Sequence, residues 1–227
     1  MKTSKIFTLH KGGDELEPKQ YRPVSLLPIG SRLLEKIVCD QITEYLRSEG
    51  LFHCQNHGYR CNHGTITAVL EAYQEAQDAL EEGRMAGAVL LDQSAAFDVV
   101  SHTILKEKLK QYAFDEKAQS WYMNYLSERI QYVAIESSVS TKIKTGPYSC
   151  PQGSCLGPLT WTLFTGELPE VISSEKKEAR DVVEEVGGHD EIKNKRRFGK
   201  IIQYADDVIY MIVANCLREI KRKVHED

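Results

Sequence analysis

Lys200-Ile201-Ile202-Gln203-Tyr204-Ala205-Asp206-Asp207-Val208-Ile209-Tyr210-Met211-Ile212-Val213 carries two apolar, β-rich runs separated by a short acidic break. This pattern predicts a β-hairpin with adjacent carboxylates at its tip. Neighbouring carboxylates repel, and each raises the cost of ionising the other. A stiff turn that holds two of them gains from a cation, and Mg²⁺ suits such a place because one or two carboxylates, waters and substrate phosphates complete its shell. On its own, an Asp-Asp turn reads first as a solvated surface turn, and the rest of the chain changes that.

A second acidic position lies upstream. Ala86-Gly87-Ala88-Val89-Leu90-Leu91 is an unbroken small and apolar run, which predicts a strand buried on both faces. It ends at Asp92, ahead of Gln93-Ser94-Ala95-Ala96-Phe97-Asp98. A strand ending in Asp92 and a hairpin tipped by Asp206 and Asp207 could bring three carboxylates together. Such a trio can hold two divalent ions roughly 3.5–4 Å apart and clamp both oxygens of an in-line phosphoryl transfer.

Together these segments resemble a known family. Leu91-Asp92-Gln93-Ser94-Ala95-Ala96-Phe97-Asp98 resembles motif A of reverse transcriptases, Pro151-Gln152-Gly153-Ser154-Cys155-Leu156-Gly157-Pro158 their motif B, and Tyr204-Ala205-Asp206-Asp207 their motif C. Tyr21-Arg22-Pro23-Val24-Ser25-Leu26-Leu27-Pro28, then Leu34-Glu35-Lys36, is similar to the fingers motifs of LINE-type, jockey-like retrotransposon polymerases. Asn56-His57-Gly58-Tyr59-Arg60 is similar to that family's Gln-x-Gly-Phe-Arg, and Ala96-Phe97-Asp98-Val99-Val100-Ser101-His102 to its AFDxVxH. The resemblance runs from about Lys2 to Val213. Gln20, Asn56 and Thr165-Gly166-Glu167 depart from the usual residues but touch none of the three carboxylates.

The resemblance implies an α+β fold, the palm of a right-hand polymerase with partial fingers, in which helices pack on an antiparallel sheet. Residues 1–85 would be fingers-like and 86–213 the palm, with 214–227 as a truncated C-terminal helix; within the palm, 173–198 is polar and low in large apolar residues, which reads as a mobile insertion. It implies an RNA-directed DNA polymerase that joins a dNTP to a DNA primer on an RNA template, using two Mg²⁺ ions or Mn²⁺ in their stead. Asp92, Asp206 and Asp207 would be the catalytic metal ligands, Asp207 the more peripheral. Phe97 would lie under the incoming sugar and exclude a 2′-OH. Gln152 and Gly153 would meet the nucleotide and template strand, Arg22 and Arg32 the triphosphate, Tyr204 the primer terminus and Arg60 the template. The opening residues resemble the middle of the family's sequence, and its thumb is not recognisable, so the resemblance also implies a fragment. The alternative is a non-catalytic remnant that at most binds nucleic acid.

Composition bounds these readings. The 227 residues, 41% of them hydrophobic, suffice for one core or two small lobes. No apolar run is long enough to span a membrane, and no secretory leader is visible, so the six cysteines read as reduced thiols of an intracellular protein, in nucleus or cytoplasm. His53, Cys54, His57, Cys61 and His63 raise a zinc-binding interaction domain as a third reading, but Cys54 and Cys61 are too far apart for a zinc knuckle. The net charge of −4 argues against a nucleic-acid partner, yet local sign decides for a groove. Acids crowd between Glu167 and Glu191, while Lys193, Lys195, Arg196, Arg197 and Lys200 precede the hairpin.

Local signals place the remaining elements. Ser31 can cap a helix to Ser48, with Leu33, Leu34, Ile37, Val38, Ile42, Tyr45 and Leu46 on its inner face and Gly50 as a stop. Further helices are predicted at Thr65–Glu82 closed by Gly83, near Thr103–Tyr112, at Asp115–Ser127, from Ser154 and over Cys216–Val224. Ile130–Glu136 and Val139–Thr145 alternate as strands around Ser137-Ser138.

Overall fold

A computed structural model describes residues 2–93, 96–135, 137–169, 199–218 and 220–221. In chain order its elements are β1 (Thr3–His10), β2 (Tyr21–Leu26), α1 (Ile29–Ser48), α2 (Thr65–Glu81), β3 (Met85–Asp92), α3 (His102–Gln111), α4 (Glu116–Leu126), β4 (Ile130–Ile135), β5 (Ser138–Val139), β6 (Ile143–Lys144), α5 (Leu156–Thr165), β7 (Lys200–Tyr204) and β8 (Asp207–Ala214). The fold is α+β. It forms two compact units that interleave along the chain, one of Met1–Leu51 with Ala95–Phe164, the other of Phe52–Ser94 with Thr165–Asp227.

In the first unit β1 pairs antiparallel with β2 and parallel with β4. The arm expected over Val139–Thr145 breaks into β5 and β6, because Ser140 Oγ takes the Val133 N–H (2.9 Å) in place of a ladder bond. Ser101 and Asp115 cap α3 and α4 with side-chain oxygens, which fixes those helices close to their predicted starts. Leu105, Leu109, Tyr122, Leu126, Leu156 and Leu163 are fully buried and form the apolar interior. The buried Tyr122 hydroxyl meets Thr160 Oγ1 at 2.7 Å, and burial pushes its phenol above the ordinary range.

Helix α1 departs from expectation in two ways. It starts at Ile29 with Pro28 as N-cap, because the Pro28 carbonyl accepts from both Ser31 and Arg32 N–H. Ser31 therefore lies inside the first turn. The buried stripe is Ser31, Glu35, Ile42 and Leu46, whereas Leu33 (63% exposed) and Ile37 (50%) face outward. Apolar periodicity could not anticipate this, because the helix turns inward on a buried acid whose hydrogen bonds are described below.

The second unit holds a three-stranded antiparallel sheet ordered β3-β8-β7. The expectation that the run to Asp92 is buried on both faces is corrected. It forms β3, which pairs only with β8 among the described residues, and Leu90 is 75% exposed. Two-faced burial belongs to the central strand β8. Val208, Tyr210 and Ile212 pack with Ile201 and with Val89, Leu168 and Ile220, while Met211 and Ile202 pack on Ala68, Ala72 and Ala76 of α2. Small residues on α2 let the helix approach the sheet closely. Gly83 follows the helix at φ +69, the left-handed stop that glycine takes without strain.

Residues 173–198, read as a mobile insertion, lie outside the described residues. Of the predicted Cys216–Val224 helix, Leu217, Arg218, Ile220 and Lys221 are helical and the remainder of its C-terminal half lies outside them. Among the described residues no helix is long and apolar enough to cross a membrane.

Candidate active site

The hairpin of β7 and β8 closes through Ala205 and Asp206, with Tyr204 and Asp207 as the last pair. Ala205 takes φ +55, a left-handed conformation that favours glycine, so the turn holds its shape under backbone strain. On the other side of β8, Asp92 is the register partner of Asp207, and Gln93 N–H donates to the Asp206 carbonyl at 3.2 Å. Directly opposed residues of an antiparallel pair project to the same face. Asp92 and Asp207 are exposed, Asp206 is half-buried, and among the described residues none of the three has an ion-pair partner. Like charges directly opposed on a ladder destabilise it, so a cation bound at this end of the sheet would relieve that repulsion.

The described residues contain no ready cluster of three or more His, Cys, Asp or Glu that could hold a metal. The register sets Asp92 opposite Asp207, and the described side chains form no closed cage. Mg²⁺ needs no such cage, since it keeps several waters and takes one or two carboxylates plus substrate phosphates. Two exposed, facing carboxylates with a third beside them fit that chemistry.

A strap supports the turn from the β7 edge. Asn56 forms a parallel bridge with Gln203, His57 N–H donates to the Gln203 carbonyl (2.7 Å), and Gln203 N–H donates to the Gln55 carbonyl (2.9 Å). Gly58 then lies on the turn itself, since a Cβ there would sit 2.5 Å from Ala205 N. The glycine is required by this close approach. Arg60, read as a template contact, donates from one guanidinium nitrogen to the carbonyls of His53, Cys54 and Asn56 and lies over the Phe52 ring. It closes the strap into a loop. Tyr204 is half-buried and packs among Ala68, Ile202 and Met211.

The first unit positions the motif B segment. Ser25 N–H of β2 donates to the Gln152 carbonyl (2.7 Å), and Gly153, at φ +98, lies so close to β2 that a Cβ would come 3.3 Å from the Ser25 carbonyl. Ser154 Oγ accepts from Gly157 N–H and caps α5. Phe97 is half-buried, with its ring 6.2 Å from that of Trp161 and its edge over Gly157. The segment after Phe97 is laced to the extended stretch entering motif B: Cys150 N–H donates to Phe97 O, Ser149 N–H to Val100 O, and a His102 ring nitrogen meets Ser149 O at 2.8 Å. Arg22 and Arg32 are exposed, on β2 and the first turn of α1.

Sequence reasoning gave Glu35 no role. Its carboxylate, 1% exposed, accepts from Cys155 N–H (3.0 Å) and from Ser31 Oγ (3.3 Å), so an acid of α1 anchors the motif B turn. The adjoining Leu34-Glu35-Lys36 resemblance was the available signal.

Asp98 gives a pH-dependent expectation. Burial pushes its carboxyl above the usual range, and it lies near Cys150, whose thiol burial pushes up to about 12. A raised carboxyl favours the protonated form in the fold, so its contribution to stability is full below the unfolded value of about 3.9 and is lost as pH rises through the folded value. Asp98→Asn should therefore melt above the parent at pH 7, with the gap shrinking towards pH 4. Asp98 keeps part of its surface in water, so the shift should be small, about a degree or two. Equal melting temperatures across that range would contradict it.

A family profile described as reverse transcriptase (RNA-dependent DNA polymerase) matches residues 9–226. The chain is 27% identical over 226 residues to the probable RNA-directed DNA polymerase from transposon BS of Drosophila melanogaster, covering 99% of this chain and 23% of that protein. It is 27% identical over 224 residues to the RNA-directed DNA polymerase from mobile element jockey of Drosophila funebris, covering 97% of this chain and 22% of that one. It thus spans less than a quarter of the length of these two relatives. Among solved structures, telomerase from Candida tropicalis in complex with a fragment of telomeric RNA aligns with a TM-score of 0.62 at 12% identity, over 98% of this chain and 38% of that one, and so shares its fold. The profile match over nearly the whole sequence, with the acidic hairpin and motif B held as described, places this chain in the reverse transcriptase family.

Proposed function

We propose that the chain carries the nucleotidyl-transfer site of an RNA-directed DNA polymerase, with an RNA template, a DNA primer and dNTPs as substrates. The observation that carries this reading is the register of Asp92 against Asp207, with Asp206 in the adjoining turn and no cation of the described residues paired to any of them. Asp92 and Asp206 would hold two Mg²⁺ ions, with Asp207 more peripheral. Bound there, the ions would supply Lewis-acid stabilisation of the attacking and leaving oxygens. The chain's own work is to hold Asp92 and Asp207 opposite each other on a stiff sheet end, so that little reorganisation is needed when charge develops.

In the same reading Phe97 walls the sugar and Gln152 and Gly153 border the incoming nucleotide. Arg22 and Arg32 offer guanidinium forks to triphosphate oxygens, Tyr204 flanks the primer end and Arg60 orders the strap beside the template. Residues 1–85 would serve as fingers and 86–213 as palm.

The test is primer extension by the product of the complete reading frame that contains this chain, on primed RNA, with dNTPs and Mg²⁺ or Mn²⁺. Metal-dependent extension is expected. A folded protein that binds primed RNA yet adds no nucleotide with either ion would overturn the proposal.

A further inference from the structure

Helix α2 carries a polar row that faces the strap and β7. Thr67, Glu71 and Glu75 recur every fourth residue and so lie on one face of the helix. Thr67 Oγ1 is 2.9 Å from His57 Nδ1, and Glu71 Oε2 is 2.5 Å from His57 Nε2. The other Glu71 oxygen is 2.7 Å from Lys200 Nζ, which also lies 3.7 Å from Glu75 Oε2. His57 is 5% exposed at its side chain. Burial alone would raise the Glu71 carboxyl, but the hydrogen bonds and charge of Lys200 and His57 outweigh it and hold it below its ordinary value.

One carboxylate thus ties together three segments: α2, the strap at His57 and the first residue of β7. Two of those segments reach the acidic turn. The strap reaches it through Gly58, pressed on Ala205, and through the two backbone bonds to Gln203. Strand β7 reaches it at Tyr204, the register partner of Asp207. Gln203, 1% exposed, is itself fixed by its Nε2 on Thr165 Oγ1 at 2.6 Å. The turn cannot shift along β7 without breaking the strap, and the strap cannot shift without breaking the His57–Glu71 contact.

We infer that His57, with Glu71 and Lys200, is a positioning element for the metal-holding carboxylates: it fixes the strap that seats the Ala205–Asp206 turn. This rests on the reading of Asp92, Asp206 and Asp207 as the metal ligands. Residues that orient ligands from behind commonly change metal affinity or activity by about 10–100-fold when removed.

The experiment is a titration of Mn²⁺ alone, with free ion read by electron paramagnetic resonance, on the product of the complete reading frame and its variants. Circular dichroism checks that each is folded. His57→Ala should weaken Mn²⁺ binding about tenfold or more. Lys200→Gln, at a half-buried position, should weaken it in the same direction by about threefold or more. His57→Gln, whose amide can still donate to Glu71, should stay close to the parent. The Asp206→Asn control separates the two ideas. If it leaves Mn²⁺ affinity unchanged, the carboxylate reading falls and this inference with it. If Asp206→Asn weakens binding while folded His57→Ala and Lys200→Gln match the parent, the inference alone is overturned. Where His57→Ala does not fold, Lys200→Gln decides by the same criterion.

Discussion

Asp206→Asn in the product of the complete reading frame is expected to cut primer extension roughly a thousandfold or more, with binding of primed RNA unchanged within about twofold. The estimate follows because a Lewis-acid ion supplies several kcal/mol to the transition state and about 1.4 kcal/mol is worth a factor of ten. Asparagine has nearly the same shape, and the turn is held by backbone: Gln93 N–H on the Asp206 carbonyl, Gly58 against Ala205 and the Tyr204–Asp207 pair. The substitution therefore removes charge and little else. It also removes one of three mutually repelling carboxylates, so stability should hold or rise slightly. Asp207→Asn, at the more peripheral position, should cost less. Single-turnover incorporation of one nucleotide, measured beside primed-RNA affinity, checks both. Extension by Asp206→Asn within tenfold of the parent would remove Asp206 from the metal set.

What the sequence made legible was what local chemistry decides. The hairpin, the stops at Gly50 and Gly83 and the helices near Thr103–Tyr112 and Asp115–Ser127 depend on residues near in sequence, and they lie close to where expected. The misread features are tertiary. An apolar run such as Ala86–Leu91 reports an apolar strand but not its place in a sheet; as an edge strand it leaves Leu90 in the open and gives the two-faced burial to β8. The inner face of α1 was misjudged because Glu35 is buried to reach Cys155 N–H, more than a hundred residues away. In the same way the row Thr67, Glu71, Glu75 is visible on α2, but its partner Lys200 comes from a distant segment, and His57 from a loop whose path local signals do not fix. The three acids could be singled out because they stand at strand ends, whereas the contacts around the turn could not be read because they are made by backbone and by buried polar groups.

The second large effect is expected at Phe97. Phe97→Val should lower discrimination between deoxyribonucleotides and ribonucleotides at least about tenfold, or about 1.4 kcal/mol, through better use of the ribonucleotide. The geometry suits a rigid wall. The Phe97 carbonyl is fixed by Cys150 N–H at 2.8 Å, and the ring is held over Gly157 and tilted 47° to Trp161, while part of its surface stays accessible. A ring fixed from backbone and side cannot retreat from an extra hydroxyl, and selectivity by clash needs such stiffness. Valine withdraws the ring edge and leaves the backbone lacing to Cys150 and Ser149 in place. Some stability is lost with the Trp161 contact, but less than the roughly 3–5 kcal/mol of truncating a fully buried Phe to Ala. Deoxyribonucleotide use should therefore stay within about threefold of the parent, so the change appears in the ratio of the two kcat/KM values and not in overall activity. A folded Phe97→Val protein with normal deoxyribonucleotide kcat/KM and an unchanged ratio would make the ring a packing partner of Trp161 and nothing more.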